Sequence, residues 1–144
     1  LKYLKRSKRK YRIVIDANVI ISSIFGGYPA KVIEVSSSHK LFAPMRLKDE
    51  LKGFLQKIEK RGDFTNLEDY FDYVLHLVKL VAVENPESIS GDRTDDFYIA
   101  VALQKKVDFL ITRDKDVLSC RSLRDWPFKI LTPKEFVEII EEED

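Results

Sequence analysis

The chain has 144 residues, 44% of them hydrophobic, a length that suits one domain with a buried core and falls short of two ordinary ones. Its formal net charge of +1 hides an uneven distribution: residues 1 to 12 hold seven Lys or Arg and no acid, while the rest carries 18 basic and 24 acidic side chains. A single cysteine, Cys120, excludes an intrachain disulfide, and no apolar run approaches the roughly 18 residues that suggest a membrane span.

The start, LKYLKRSKRKYR, lacks the apolar stretch of a secretory signal, and the missing initiator Met points to a trimmed or partial N-terminus. With one structural thiol and no span, the expectation is a cytoplasmic protein without membrane contact. Residues 1–11 read as a basic arm in front of one domain, 12–144. Two readings of the arm stand: attraction to nucleic acid through phosphate neutralisation, or a solubilising tail.

YRIVID reads as a buried strand, followed by a short helix over NVIISSIFG that ends at Gly26 and Gly27. A second helix is predicted over 29–37, with Pro29 in its first turn. KLFA is a strand. PMRLKDELKGFLQKIEKR is a helix with Met45, Leu47, Leu51, Phe54, Leu55 and Ile58 on or near one face. Residues 64–78 continue as helix, Thr65 standing three residues before Glu68 as a candidate cap. Then come a strand over VKLVAV, a loop over ENPESISGD, a helix over TDDFYIAVALQKK and a strand over VDFLITRD. A strand over FKILTP and a helix over PKEFVEIIEEE, capped by Thr132 with Pro133 in its first turn, complete the chain. Strands separated by helices need crossover connections, hence a central, mostly parallel sheet between helical layers, α/β/α.

In such sheets ligands bind beyond the carboxyl ends of the strands. Asp16 occupies that position after the first strand, and Asp114 after VDFLIT, with Thr112 two residues earlier. A turn residue would also explain either acid, because Asx side chains bond their own backbone where a strand ends. Glu50 falls on or beside the apolar line Leu47, Leu51, Phe54. Asp96 is followed by Ile99, Ala100 and Leu103 at helical spacings, which places it inward; Asp92 and Asp95 read as less inward. Converging buried acids repel unless a cation sits among them, and an all-oxygen donor set suits Mg2+ or Mn2+. His39 and His76 have no ligand spacing that would suit zinc.

The segments IVIDANVIISSIF, APMRLKDELKGFL, DDFYIAVALQKKVDFLITRDKDVL and FKILTPKEFVEII together resemble the PIN domain, and within it the VapC-like toxin and ribonuclease branch, over Arg12 to Ile140. The resemblance implies a metal site of Asp16, Glu50, Asp96 and Asp114, with Asp92 as an additional acid and with Asn18 and Thr112 supporting the ligands. It implies metal-dependent hydrolysis of phosphodiesters in mostly single-stranded RNA, a homodimer, and a small antitoxin protein as partner. Arg113 stands where the family often has Gly, narrowing access to Asp114, and the basic arm is longer than the family core needs. Tyr28, Phe97, Tyr98, Arg93 and Arg113 are candidates for base stacking and phosphate contacts; core packing is the competing reading for the aromatics.

Three other classes compete. A haloacid-type phosphatase needs Asp-x-Asp after the first strand, where this chain has Asn18. A phosphoacceptor receiver needs adjacent acids near its start, which RIVIDAN lacks. A noncatalytic RNA-binding or RNA-processing subunit on the same fold is the alternative function.

Overall fold

The computed structural model describes residues 9–62 and 65–143. Most of the basic arm, and the Thr65 side chain expected to cap a helix, lie outside the described residues. Strands β1 (Arg12–Ile15), β2 (Lys40–Pro44), β3 (Val78–Val81), β4 (Phe109–Ile111) and β5 (Lys129–Leu131) form one sheet in the order β3-β2-β1-β4-β5. All neighbouring pairs are parallel. The helices are α1 (Ala17–Ser22), which runs into a 3-10 turn at Ser23–Phe25, then α2 (Gly27–Ser36), α3 (Leu47–Glu59), α4 (Thr65–Leu77), α5 (Arg93–Gln104), α6 (Lys115–Leu118) with a 3-10 turn at Ser119–Ser122, and α7 (Pro133–Glu143).

The order of strands follows from the crossovers. From β1 the chain steps outward through β2 to β3, returns to the other side of β1 as β4, and steps outward again to β5. Right-handed crossovers put the connecting helices of the two halves on opposite faces, which yields the expected α/β/α layers. Helix α5 packs across β1, β2 and β4, and α7 packs on α2. The central strands are therefore covered on both sides: Ile13, Val14, Leu110 and Ile111 are wholly buried. Each such side chain contributes about 1.5–3 kcal/mol through burial. Cys120 is buried too, as a structural thiol.

Local chemistry fixes the element ends. Helix α7 opens with a reciprocal capping box: the Glu135 N–H donates to the Thr132 hydroxyl at 3.1 Å, and the Thr132 N–H donates to Glu135 Oε1 at 2.8 Å. Met45, expected on the buried helical face, is instead 56% exposed. Its N–H still extends the β2–β3 ladder by donating to the Val81 carbonyl at 3.0 Å, so the helical spacing begins only at Leu47. Strand β4 is shorter than the apolar run around it, because Lys106 turns the chain at φ 50° and pairing with β5 occupies only Phe109–Ile111. Helix α6 was not anticipated, since four residues are too few to display a helical period.

Candidate metal centre

The strand order reverses between β1 and β4, which opens a crevice at their carboxyl ends. Asp16 stands at its edge. Its N–H donates to the Ile111 carbonyl at 2.9 Å, which ties it to β4, and its carboxylate caps α1 by accepting the Asn18 N–H at 3.4 Å. The other carboxylate oxygen accepts the Thr112 hydroxyl at 2.8 Å. That hydroxyl in turn accepts the Asp114 N–H at 3.0 Å, and Asp114 caps α6 through the Asp116 N–H at 2.8 Å. Asp16 thus fills both roles considered from the sequence, a cap at a strand end and an acid facing a second acid.

A third acid arrives from α5. Gly91, at φ +88°, makes the turn into this helix, and Asp92 caps it by accepting the Thr94 N–H at 2.8 Å. Asp95 and Asp96 in the first turn are both 4% exposed. One carboxylate oxygen from each of Asp16, Asp95 and Asp114 lies within 4.8 Å of the others. Asp95 also joins a second group, with Asp92 and Asp116. Asp96 is engaged elsewhere: its Oδ1 accepts the Ile89 N–H at 3.2 Å and both the N–H and the hydroxyl of Ser90 at 2.8 Å.

The structure therefore brings Asp95, rather than the expected Asp96, beside Asp16 and Asp114. The description of Asp95 as less inward is corrected by its burial. A signal for it was present in the sequence, because Tyr98, Ile99 and Ala102 follow it at i+3, i+4 and i+7 and all three are buried. Glu50 lies close by without joining either group; its Oε1 accepts the Tyr98 hydroxyl at 3.1 Å and faces Arg46 Nε at 3.3 Å. The side chain of Asn18 is exposed, and the contact of this residue with Asp16 is through its backbone. The histidines belong to neither acidic group.

The electrostatics record the crowding. Burial raises the carboxyl of Asp16 above its ordinary range, with the charge of Asp114 adding to the effect. Asp95 is pushed up to about 8, by burial first and then by the charges of Asp114, Asp16 and Asp92. Glu50 is raised by burial, which outweighs the hydrogen bond from Tyr98 and the Arg46 charge. Asp95 Oδ2 is buried and has no hydrogen-bond partner, an uncompensated acceptor of the kind that folding normally avoids. A hard divalent cation fits this donor set: it would accept the orphaned oxygen as a ligand and cancel the repulsion.

Around the acids, Tyr98 is core and Phe97 is half-buried between two guanidinium groups, Arg46 at 4.7 Å and Arg93 at 5.6 Å from its ring centre. Tyr28 and Arg113, the residue before Asp114, line an open groove together with Leu118 and Pro133.

An α/β/α sheet with clustered carboxylates at its reversal point defines a nuclease-like, metal-capable site. The PIN domain family model matches residues 12–116, which include all of these acids, and the chain belongs to that family. It is 31% identical over 152 aligned positions to the uncharacterized protein MJ1680 of Methanocaldococcus jannaschii, covering 95% of this chain and 96% of that one. The crystal structure of PAE2754 from Pyrobaculum aerophilum superimposes with a TM-score of 0.62 at 14% identity, over 92% of this chain and 90% of that one, a likeness of fold.

Proposed function

We propose that this protein is a Mg2+- or Mn2+-dependent endoribonuclease acting on single-stranded RNA. The observation that carries the reading is the convergence of Asp16, Asp95 and Asp114, with an orphaned Asp95 oxygen, at the reversal of the sheet. Asp16, Asp95 and Asp114 would hold the metal, and the second group, through Asp92 and Asp116, gives Asp95 the position of a shared ligand. A bound cation would supply an activated water and neutralise charge on the phosphate. Thr112 holds Asp16 and Asp114 in register through its one hydroxyl, and Tyr98 with Arg46 fixes Glu50 beside them, where its carboxylate positions water. Asp96 serves the site by holding the loop at Ile89 and Ser90.

Membership of the VapC-like branch, a cytoplasmic toxin role with a small antitoxin, and homodimerisation form the finer part of the proposal. The branch and the toxin role are supported by the motif resemblance, and contact with a partner segment or a second copy by a groove between α2 and α4 that offers apolar surface from Ile24, Ile33, Leu67, Tyr70 and Tyr73. Residues 12–144 would form the nuclease domain and the preceding basic segment an accessory arm.

The test is cleavage of a mixed pool of single-stranded RNAs, with DNA alongside, by the native protein and by the D16N and D95N variants. Cleavage that needs Mg2+ or Mn2+, stops with chelator and is lost in both variants supports the reading. Binding of RNA without cleavage under either metal would replace it with the noncatalytic RNA-binding subunit.

A further inference from the structure

The groove beside Asp114 has a chemistry of its own. It encloses about 540 Å³ and is lined by Phe25, Tyr28, Pro29, Leu118, Arg113 and Lys134, among others. Phe25 is 82% exposed and Tyr28 46% exposed, so these rings leave aromatic surface in water that the core does not use. Gly26, at φ +84°, ends the 3-10 turn of Ser23–Phe25 and starts α2, which leaves the two aromatics flanking a stretch without side chains. Arg113 and Lys134 are exposed, and among the described residues neither forms an ion pair. The lining contains no acid, although the acidic cluster begins one residue beyond Arg113.

We propose that this groove is a subsite for one unpaired nucleotide of a single-stranded RNA: Phe25 and Tyr28 take the base, and Arg113 and Lys134 take the adjoining phosphates. The proposal rests on the nuclease reading for the identity of the polymer. The volume suits a nucleotide-sized ligand. Exposed rings stack on any base whose face is free, which requires a strand that is not paired, and two unpartnered cations complement its backbone. Arg113 directly precedes Asp114 in the chain, so the groove and the acidic cluster share one segment, and the lining continues to Thr132, Pro133 and Lys134 at the start of α7.

The experiment measures binding of a short fluorescent single-stranded RNA by anisotropy, in chelator so that it stays intact, across a range of salt concentrations. F25A should weaken binding about tenfold and leave the salt slope unchanged, with an unaltered melting temperature because the ring is exposed. The R113A/K134A pair should lower the slope of log affinity against log salt by about 1.4, for two phosphate contacts on a single strand. One abasic position in the RNA should weaken native binding as F25A does and have no further effect in F25A. Identical affinity and slope in all three proteins would overturn the subsite. A monomer–dimer equilibrium that F25A abolishes while RNA affinity stays unchanged would overturn it in favour of a second copy in the groove. Chelator-sensitive cleavage with indifferent groove variants sinks the subsite alone, whereas groove-dependent binding without cleavage sinks the nuclease reading alone.

Discussion

Asp95 and Asp96 are adjacent in the chain and equally buried, yet their carboxylates meet different neighbours. Asp95 faces Asp16 and Asp114 with one oxygen lacking any hydrogen bond, while Asp96 accepts three hydrogen bonds from Ile89 and Ser90. Successive helical residues differ by about 100° in direction, enough to send one acid into the crevice and the other against the loop that precedes α5.

The two should separate cleanly on substitution. D95N keeps the shape and removes a carboxyl that the fold buries beside two other acids, so the metal-free fold should be unharmed or more stable while cleavage falls by more than about 100-fold, since even an outer partner of a ligand is worth about 10–100-fold. D96A should instead cost on the order of 2 kcal/mol of stability through the lost loop contacts. Urea unfolding and single-turnover cleavage on both variants read the two effects; equal destabilisation by both would refute the division of labour.

Stability of the metal-free protein should depend on Asp95 in a defined direction. An acid whose folded pKa is raised, here from an ordinary 3.8 to about 8, binds more protons folded than unfolded. Its favourable contribution is fully present below about pH 4 and disappears as pH rises through about 8. Melting temperatures in chelator should therefore fall between pH 5 and 8 by more in the native chain than in D95N, and added Mg2+ should offset the fall at the high end. Parallel pH profiles for the two proteins would show that Asp95 does not titrate in this way.

T112V tests the shared hydroxyl. Valine matches threonine in shape, but it takes a donor from Asp16 and an acceptor from the Asp114 N–H. The expected cost is roughly 1–3 kcal/mol, with about 10–100-fold weaker metal binding by calorimetry. An unchanged metal affinity would leave Thr112 as core packing.

Removing residues 1–10 should weaken RNA binding and reduce its salt dependence without moving the preferred cut, because phosphate contacts add affinity and carry no sequence information. The six Lys and Arg of the arm offset the remainder of the chain, which carries 19 basic and 24 acidic side chains. A truncated protein with native affinity at both low and moderate salt would make the arm a solubilising tail.

The parallel sheet, its helical cover and two of the three converging acids are legible in the amino-acid sequence. Buried parallel strands demand runs such as RIVI and FLI, helices between them demand apolar spacings of three and four, and Asp16 stands directly after one such strand and Asp114 three residues after the end of another. The box at Thr132 and Glu135 was half legible for the same reason: Thr132 and Pro133 announce a helix start, and the reciprocal bond from Glu135 forms within three residues. Which acid of α5 faces them was left to the tertiary structure. A helix start can be read to within a residue or two, but one residue rotates a side chain by about 100°, and both Asp95 and Asp96 have apolar partners at the right spacing. Only the docking of α5 across β1, β2 and β4, with Gly91 setting its entry and Ser90 claiming Asp96, turned Asp95 into the crevice. The groove of Phe25, Arg113 and Lys134 was likewise decided in three dimensions, because its walls come from segments more than 80 residues apart in the chain that meet only when β4 and β5 line up beside β1.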